Sequence, residues 1–293
     1  MSGEPTFLMG VGATKAGTSW LYRYLAGHPD CHLRSIKELH YFDMIETRGL
    51  QRWRDRETAR MLSLRARQED GRGTPYVARV VNDLKDWVAV LGKGPRGVSA
   101  YIEYLTQGRG DRRLVADITP AYATLSVDGL RRMAGIAPDV RVLYLLRDPV
   151  ARMWSAARMI GRRRATDKAQ FPAQATGAMA EMIAGVEAGH TNREDYAGTV
   201  RRLTEAVPPH RLMVQLLDDL LSAPGLKRLC AFLGIKDHPG DFDTRQHAGL
   251  PLDLPEDLRL RAQRALRPQY EFAATLFPDL PDSWRRNMTE VHG

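Results

Sequence analysis

The sequence predicts an α/β protein with a central parallel sheet flanked by helices. Three observations carry this. Short apolar strand-like runs alternate with helical patterns from Thr6 to Leu276. The run Val140–Leu146 is apolar on both faces, as a strand covered by helices requires. A glycine-rich loop joins the apolar run Thr6–Val11 to a helical pattern over Trp20–Leu25, which reads as strand, loop, helix.

The elements follow in order. His28-Pro29 ends the first helix, and Cys31–Leu33 forms a second short strand. From Met44 to Arg113 the chain is dense in Arg and Asp/Glu, with helical patterns over Leu50–Gln68 and Val77–Leu91. Gly71, Gly73, Gly92, Gly94 and Gly97 separate them, so residues 44–113 form an excursion of helices and loops outside the sheet. Strands return at Arg113–Asp117 and Val140–Leu146, and a helix starts near Val150. Arg162-Arg163-Arg164 opens a polar stretch expected to be mobile. A helix over Asp195–Val207, a strand over Arg211–Gln215, a helix over Pro224–Leu233 ending at Gly234, and a long helix over Leu254–Leu276 complete the chain. Residues 1–293 are expected to form one domain.

Of the 293 residues, 43% are apolar and 27% charged, as in ordinary globular proteins. Lys and Arg outnumber Asp and Glu by 43 to 35, and the net charge of +8 favours anionic ligands. The arginines are interleaved with acids, which indicates solvated helix faces and argues against a nucleic-acid surface. Cys31 and Cys230 are far apart and make no CxxC spacing, consistent with thiols in a reducing compartment. The apolar run Phe7–Ala13 has no basic segment before it, and no run approaches the roughly 18 residues of a membrane span. A cytoplasmic protein is expected.

The loop Gly10-Val11-Gly12-Ala13-Thr14-Lys15-Ala16-Gly17-Thr18-Ser19 has the parts of a phosphate cradle: small residues, a lysine, hydroxyls and a following helix N-terminus. A plain structural turn is the alternative. The expected fold is P-loop-like and nucleotide-binding. The kinase P-loop GxxxxGK[ST] differs, because there the lysine follows the last glycine, and here Lys15 precedes Gly17. A P-loop-like small-molecule kinase would also need magnesium.

Lys15-Ala16-Gly17-Thr18-Ser19-Trp20-Leu21, directly after a strand, resembles the 5′-phosphosulfate loop of the sulfotransferases that use 3′-phosphoadenosine 5′-phosphosulfate (PAPS). The resemblance implies that Lys15 to Trp20 bind the donor and that Lys15 contacts the bridging oxygen. Leu145-Leu146-Arg147-Asp148-Pro149 and the following helix with Ser155 resemble the family's 3′-phosphate motif, with Arg147 and Ser155 as ligands. Ile36-Lys37-Glu38-Leu39-His40-Tyr41-Phe42-Asp43 resembles the Lys-Glu-x-His-Phe-Phe stretch of the heparan-sulfate type. That implies Glu38 as catalytic base, with His40 the competing candidate.

Asp117-Ile118-Thr119-Pro120-Ala121-Tyr122 is similar to a glycan-sulfotransferase segment, with isoleucine where relatives often carry lysine. Asp117 is either an acid near the acceptor or a strand-end residue. Tyr196 resembles a tyrosine near the 3′-phosphate, or is a core residue, and Arg245 lies where relatives place a basic loop against the nucleotide. Together these imply a bacterial sulfotransferase nearest the heparan-sulfate (glycan) type. They further imply PAPS as donor, 3′-phosphoadenosine 5′-phosphate (PAP) as product, no metal, and an acceptor with a free hydroxyl. Residues 44–113 would shape the acceptor pocket.

Overall fold

Thr6–Gly12 (β1) is buried from Phe7 onward because it lies third in an all-parallel five-stranded sheet. The computed structural model describes residues 3–190, 193–242 and 252–289. From β1 the chain runs through Thr18–Gly27 (α1) to Cys31–His32 (β2), then into Tyr41–Glu46 (α2), Leu50–Arg67 (α3), Pro75–Gly92 (α4) and Val98–Thr106 (α5). It returns through Leu114–Ile118 (β3), Val127–Ala134 (α6) and Val140–Leu146 (β4). Pro149–Arg164 (α7), Phe171–Glu187 (α8), Tyr196–Ala206 (α9) and Leu212–Leu216 (β5) follow. The described chain ends with Leu217–Leu220 (α10), Ala223–Leu233 (α11), Glu256–Leu276 (α12) and Asp282–Thr289 (α13).

The strand order is β2-β3-β1-β4-β5. Leu8 of β1 is in register with Ala116 of β3 on one side and Arg141 of β4 on the other. Because every strand is parallel, all carboxyl ends share one edge, where open α/β sheets bind ligands. One apolar core runs through the molecule from Phe7 to Trp284.

The excursion over residues 44–113 is largely helical and firmly anchored. Trp87 and Tyr101 are fully buried, and Tyr101 stacks on Tyr41 with ring centroids 4.8 Å apart. Arg34, also buried, pairs with Asp83 at 2.9 Å and Asp86 at 2.7 Å, tying α4 to the segment after β2. The strands expected at Arg113–Asp117 and Arg211–Gln215 begin one residue later. At the second, Pro209–Arg211 forms a 3-10 turn that absorbs Arg211.

A larger correction concerns the polar stretch after Arg162. Arg162 to Arg164 still belong to α7, and Phe171–Glu187 is a regular helix that buries Phe171, Ala175, Ala178, Met179 and Ile183. Two of these five buried positions are alanine, and alanines also stand on the other side of the helix at 173, 180 and 184, so its polar and apolar faces differ little in the sequence. Gly161 makes the contact possible, since a Cβ there would come within 2.5 Å of the Ala175 backbone nitrogen.

Candidate active site at the carboxyl edge of the sheet

The loop after β1 turns on two left-handed residues, Lys15 (φ 70°) and Gly17 (φ 86°). The φ at position 17 favours glycine, and a Cβ there would also meet Leu217 Cδ1 at 2.3 Å, so the leucine side chain would have to move aside. Gly17 caps α1 without a side-chain hydrogen bond. The first-turn N–H groups of α1 are therefore left to serve an anion. Thr18 is buried, whereas Ser19 and Lys15 are half-buried. Trp20 is used elsewhere: its ring stacks on Tyr24 and Phe242, and its Nε1 donates to the Asp241 carbonyl at 2.7 Å.

Arg147 directly follows β4 beside this loop, and its Nη1 donates to the Lys15 carbonyl at 3.1 Å. Asp148 caps α7 by accepting from the Ala151 N–H at 2.7 Å, and its other oxygen accepts from Tyr270 and Asn287. That fixes the start of the helix whose second turn carries Ser155. Tyr196 is fully buried, and its hydroxyl donates to the Arg147 carbonyl at 2.6 Å. These contacts make Tyr196 part of the core and a brace for the Arg147 backbone. Arg245 lies outside the described residues.

The structure thus brings the Lys15 loop and Arg147 into contact and places Ser155 on the helix that follows. Burial, then the charges of Arg147, Arg158, Arg162 and Lys37, depress the Lys15 ammonium below its ordinary pKa. Cations gathered this closely are stabilised by a bound anion.

A second cluster leans on the loop from the segment after β2. The Lys37 ammonium donates to Ser19 Oγ at 2.9 Å and to Glu38 Oε1 at 2.8 Å. Glu38 Oε2 lies 3.8 Å from His40 Nε2, an ion-pair distance, and His40 Nδ1 is hydrogen-bonded to Asp43 Oδ2 at 2.8 Å. Glu38 (φ 63°) and His40 (φ 59°) both sit in the left-handed region, so the neighbouring structure must hold this turn. Trp53 of α3 does part of that. Its Nε1 donates to the Leu39 carbonyl at 3.1 Å, and its ring lies 4.4 Å from the His40 ring.

The protonation states follow from these contacts. Burial alone would raise the Glu38 pKa, but the His40 ring and the Lys37 ammonium outweigh it and bring the carboxyl down to about 2. Burial opposes the His40 charge, yet Asp43 and Glu38 raise the imidazole to about 9. At neutral pH Glu38 is a carboxylate able to accept a proton, and His40 is an imidazolium with no free lone pair.

Asp117, at the end of β3, is fully surrounded. Its Oδ2 accepts from Tyr101 at 2.8 Å and Tyr122 at 2.7 Å, and its Oδ1 from Thr119 at 2.7 Å. These contacts give Asp117 a structural role: Tyr122 Oη in turn accepts from the Tyr41 N–H at 3.0 Å, so Asp117 braces α2. Sequence reasoning missed Trp53, Arg158 and Arg162. The arginines had a signal in their helical spacing from Ser155, whereas nothing in the sequence connects Trp53 with His40.

A parallel sheet with a glycine-bearing, lysine-carrying loop and an acid–imidazole chain at one edge suits group transfer. The family model described as Sulfotransferase family matches residues 5–239, and the chain belongs to that family and is a transferase. A crystal structure of a sulfotransferase from Alicyclobacillus acidocaldarius has the same fold, with a TM-score of 0.61 and 23% identity over 97% of this chain and 100% of that one. The sulfotransferase domain of the Synechococcus PCC 7002 olefin synthase is 19% identical over 95% of this chain and 96% of that chain, at a TM-score of 0.48. Comparison with curated proteins gives no match. Among the described residues no helix is long and apolar enough to cross a membrane, and no group of three or more His, Cys, Asp or Glu side chains could hold a metal ion.

Proposed function

We propose that this enzyme moves a sulfuryl group from PAPS to an acceptor hydroxyl, or less favourably an amine, of a glycan or small metabolite. The observation that carries the reading is the meeting of the Lys15 loop with Arg147 at the ends of β1 and β4. Two phosphate-binding elements side by side suit a donor phosphorylated at both 3′ and 5′ positions. The residues fit such a group: an uncapped helix N-terminus, a loop glycine at a positive φ, and the Lys15 ammonium beside the charges of Arg147 and Lys37.

In this reading the N–H groups and side chains from Ala16 to Ser19, with the Trp20 backbone, hold the 5′ end. Arg147 and Ser155 hold the 3′-phosphate, Arg147 through a guanidinium fork matched to phosphate oxygens. Tyr196 positions Arg147 through its carbonyl. When bound, PAPS supplies an activated sulfuryl group whose departure leaves negative charge on a phosphate oxygen. Lys15 opposes that charge.

Glu38 takes the acceptor proton, and the His40 imidazolium, held by Asp43, orients it. A carboxylate at about 2 is a weak base. Lys37 offers a remedy, because an anion at Ser19 competes with Glu38 for its ammonium and so strengthens Glu38 as a base.

The test is transfer of labelled sulfate from PAPS into fractions of the native host's lysate by wild type, Lys15→Ala and Glu38→Gln. Transfer by wild type alone supports the assignment. Near-normal transfer by Glu38→Gln removes Glu38 as the base and leaves His40, which must first lose its own proton, as the candidate.

A further inference from the structure

The face of α7 that carries Ser155 continues with Arg158 and Arg162, three and seven residues further on, so all three side chains leave one side of the helix. Of the other three arginines of this helix, Arg152 pairs with Glu194 at 3.1 Å and Arg164 with Glu181 at 2.9 Å, while Arg163 is exposed. Arg158 and Arg162 have no ion pair or hydrogen bond with any described residue. Arg158 is half-buried, its guanidinium 6.0 Å from the Trp154 ring centroid, and its Nε is buried with no partner. Both arginines are near enough to Lys15 for their charges to act on its ammonium.

Arg162 also opens onto a cavity of about 250 Å³ at the turn between α7 and α8, with Lys168, Thr166 and Phe171 on its walls. Asp167 is the acid there. Its carboxylate is held by Gln170, through the N–H at 2.9 Å and the side-chain amide at 3.4 Å, and its single negative charge is outnumbered by the two positive charges of Arg162 and Lys168. A cavity below the roughly 300–1,000 Å³ of a whole small-molecule site suits one part of a ligand. It lies about 10 Å along the helix from Ser155, at 1.5 Å per residue.

This inference rests on the donor reading above, in which Lys15, Arg147 and Ser155 are taken by the two phosphate ends of PAPS. Two unmatched arginines then remain, in a row that leads from the donor site to an open positive pocket. We propose that Arg158 and Arg162, with Lys168, form a further anion site that binds a carboxylate or phosphate group of the acceptor. The acceptor would then be a hydroxyl compound that itself carries negative charge.

The test is isothermal titration of the PAP-loaded enzyme with phenyl phosphate and, as its neutral counterpart, phenol, in wild type and in the double variant R158Q/R162Q. The expected result is that phenyl phosphate binds at least tenfold more tightly than phenol to wild type. That preference is lost in the double variant, while PAP affinity stays within twofold. Equal binding of the two probes, or a preference that survives the substitutions, overturns the proposal. A tenfold loss of PAP affinity in the double variant also overturns it, because the two charges would then belong to the donor.

Failure of PAP to bind even to wild type would count against the donor reading instead. The pocket is then judged by phenyl phosphate titration of the free enzyme, where dependence on the two arginines supports it and independence overturns it. The fold is checked by circular dichroism. If the double variant is unfolded, R162Q alone, at an exposed position, is held to the same outcomes.

Discussion

Replacing Asp43 by asparagine removes the carboxylate whose Oδ2 lies 2.8 Å from His40 Nδ1 while keeping the side chain's shape. Asp43 contributes more than Glu38 to the charge stabilisation that raises His40 to about 9. More than half of the rise should therefore vanish in Asp43→Asn, bringing the imidazole below about 8 from an ordinary value near 6.5. The sign follows from linkage. A histidine whose folded pKa is raised adds stability that is complete below about 6.5 and is lost as the pH climbs through about 9. The full rise corresponds to roughly 3 kcal/mol at about 1.4 kcal/mol per pH unit, an upper bound because Glu38 is 40% exposed and screened.

Histidine-ring NMR titration gives the midpoint, and urea denaturation at pH 6, 7.5 and 9.5 gives the stability. Wild type should exceed the variant by about 1–2 kcal/mol at pH 6, and the two should converge at pH 9.5. A wild-type midpoint near 6.5, or a midpoint unmoved by Asp43→Asn, would refute the Glu38–His40–Asp43 chain.

Lys15→Ala should abolish transfer without lowering the Tm in a thermal scan, because Lys15 sits in a destabilising crowd of cations. Gly17→Ala should weaken PAP binding at least tenfold by titration and cost about 1–2 kcal/mol in urea unfolding, since φ 86° disfavours a Cβ and Leu217 would have to shift to admit one. Trp53→Phe keeps a ring against His40 but removes the hydrogen bond to Leu39, so a loss of about 1 kcal/mol is expected in the same assay.

Much of the site was legible because its chemistry lies in contiguous segments. Lys15 to Trp20, Glu38 to Asp43 and Arg147 to Ser155 each follow a strand, and a parallel sheet brings strand ends to one edge whatever the intervening chain does. What escaped depends on contacts between distant segments. Nothing around residue 196 says that the Tyr196 hydroxyl holds the Arg147 carbonyl, or that Trp53 packs on His40. The helix α8 was hidden because alanines serve on its buried face, and its packing is set by Gly161 on another helix. Strand limits shifted by one residue where turns compete for the same positions, as at Arg211.

The central claim is that the loop at Lys15 and the guanidinium of Arg147 form one site for a nucleotide phosphorylated at both ends. Calorimetric titration of the protein with PAP and, separately, with ATP and magnesium tests it directly. The account predicts PAP binding at least tenfold tighter than ATP, unaffected by chelation of magnesium and weakened at least tenfold in Arg147→Ala. Tighter binding of magnesium ATP, or PAP binding indifferent to Arg147→Ala, would contradict it.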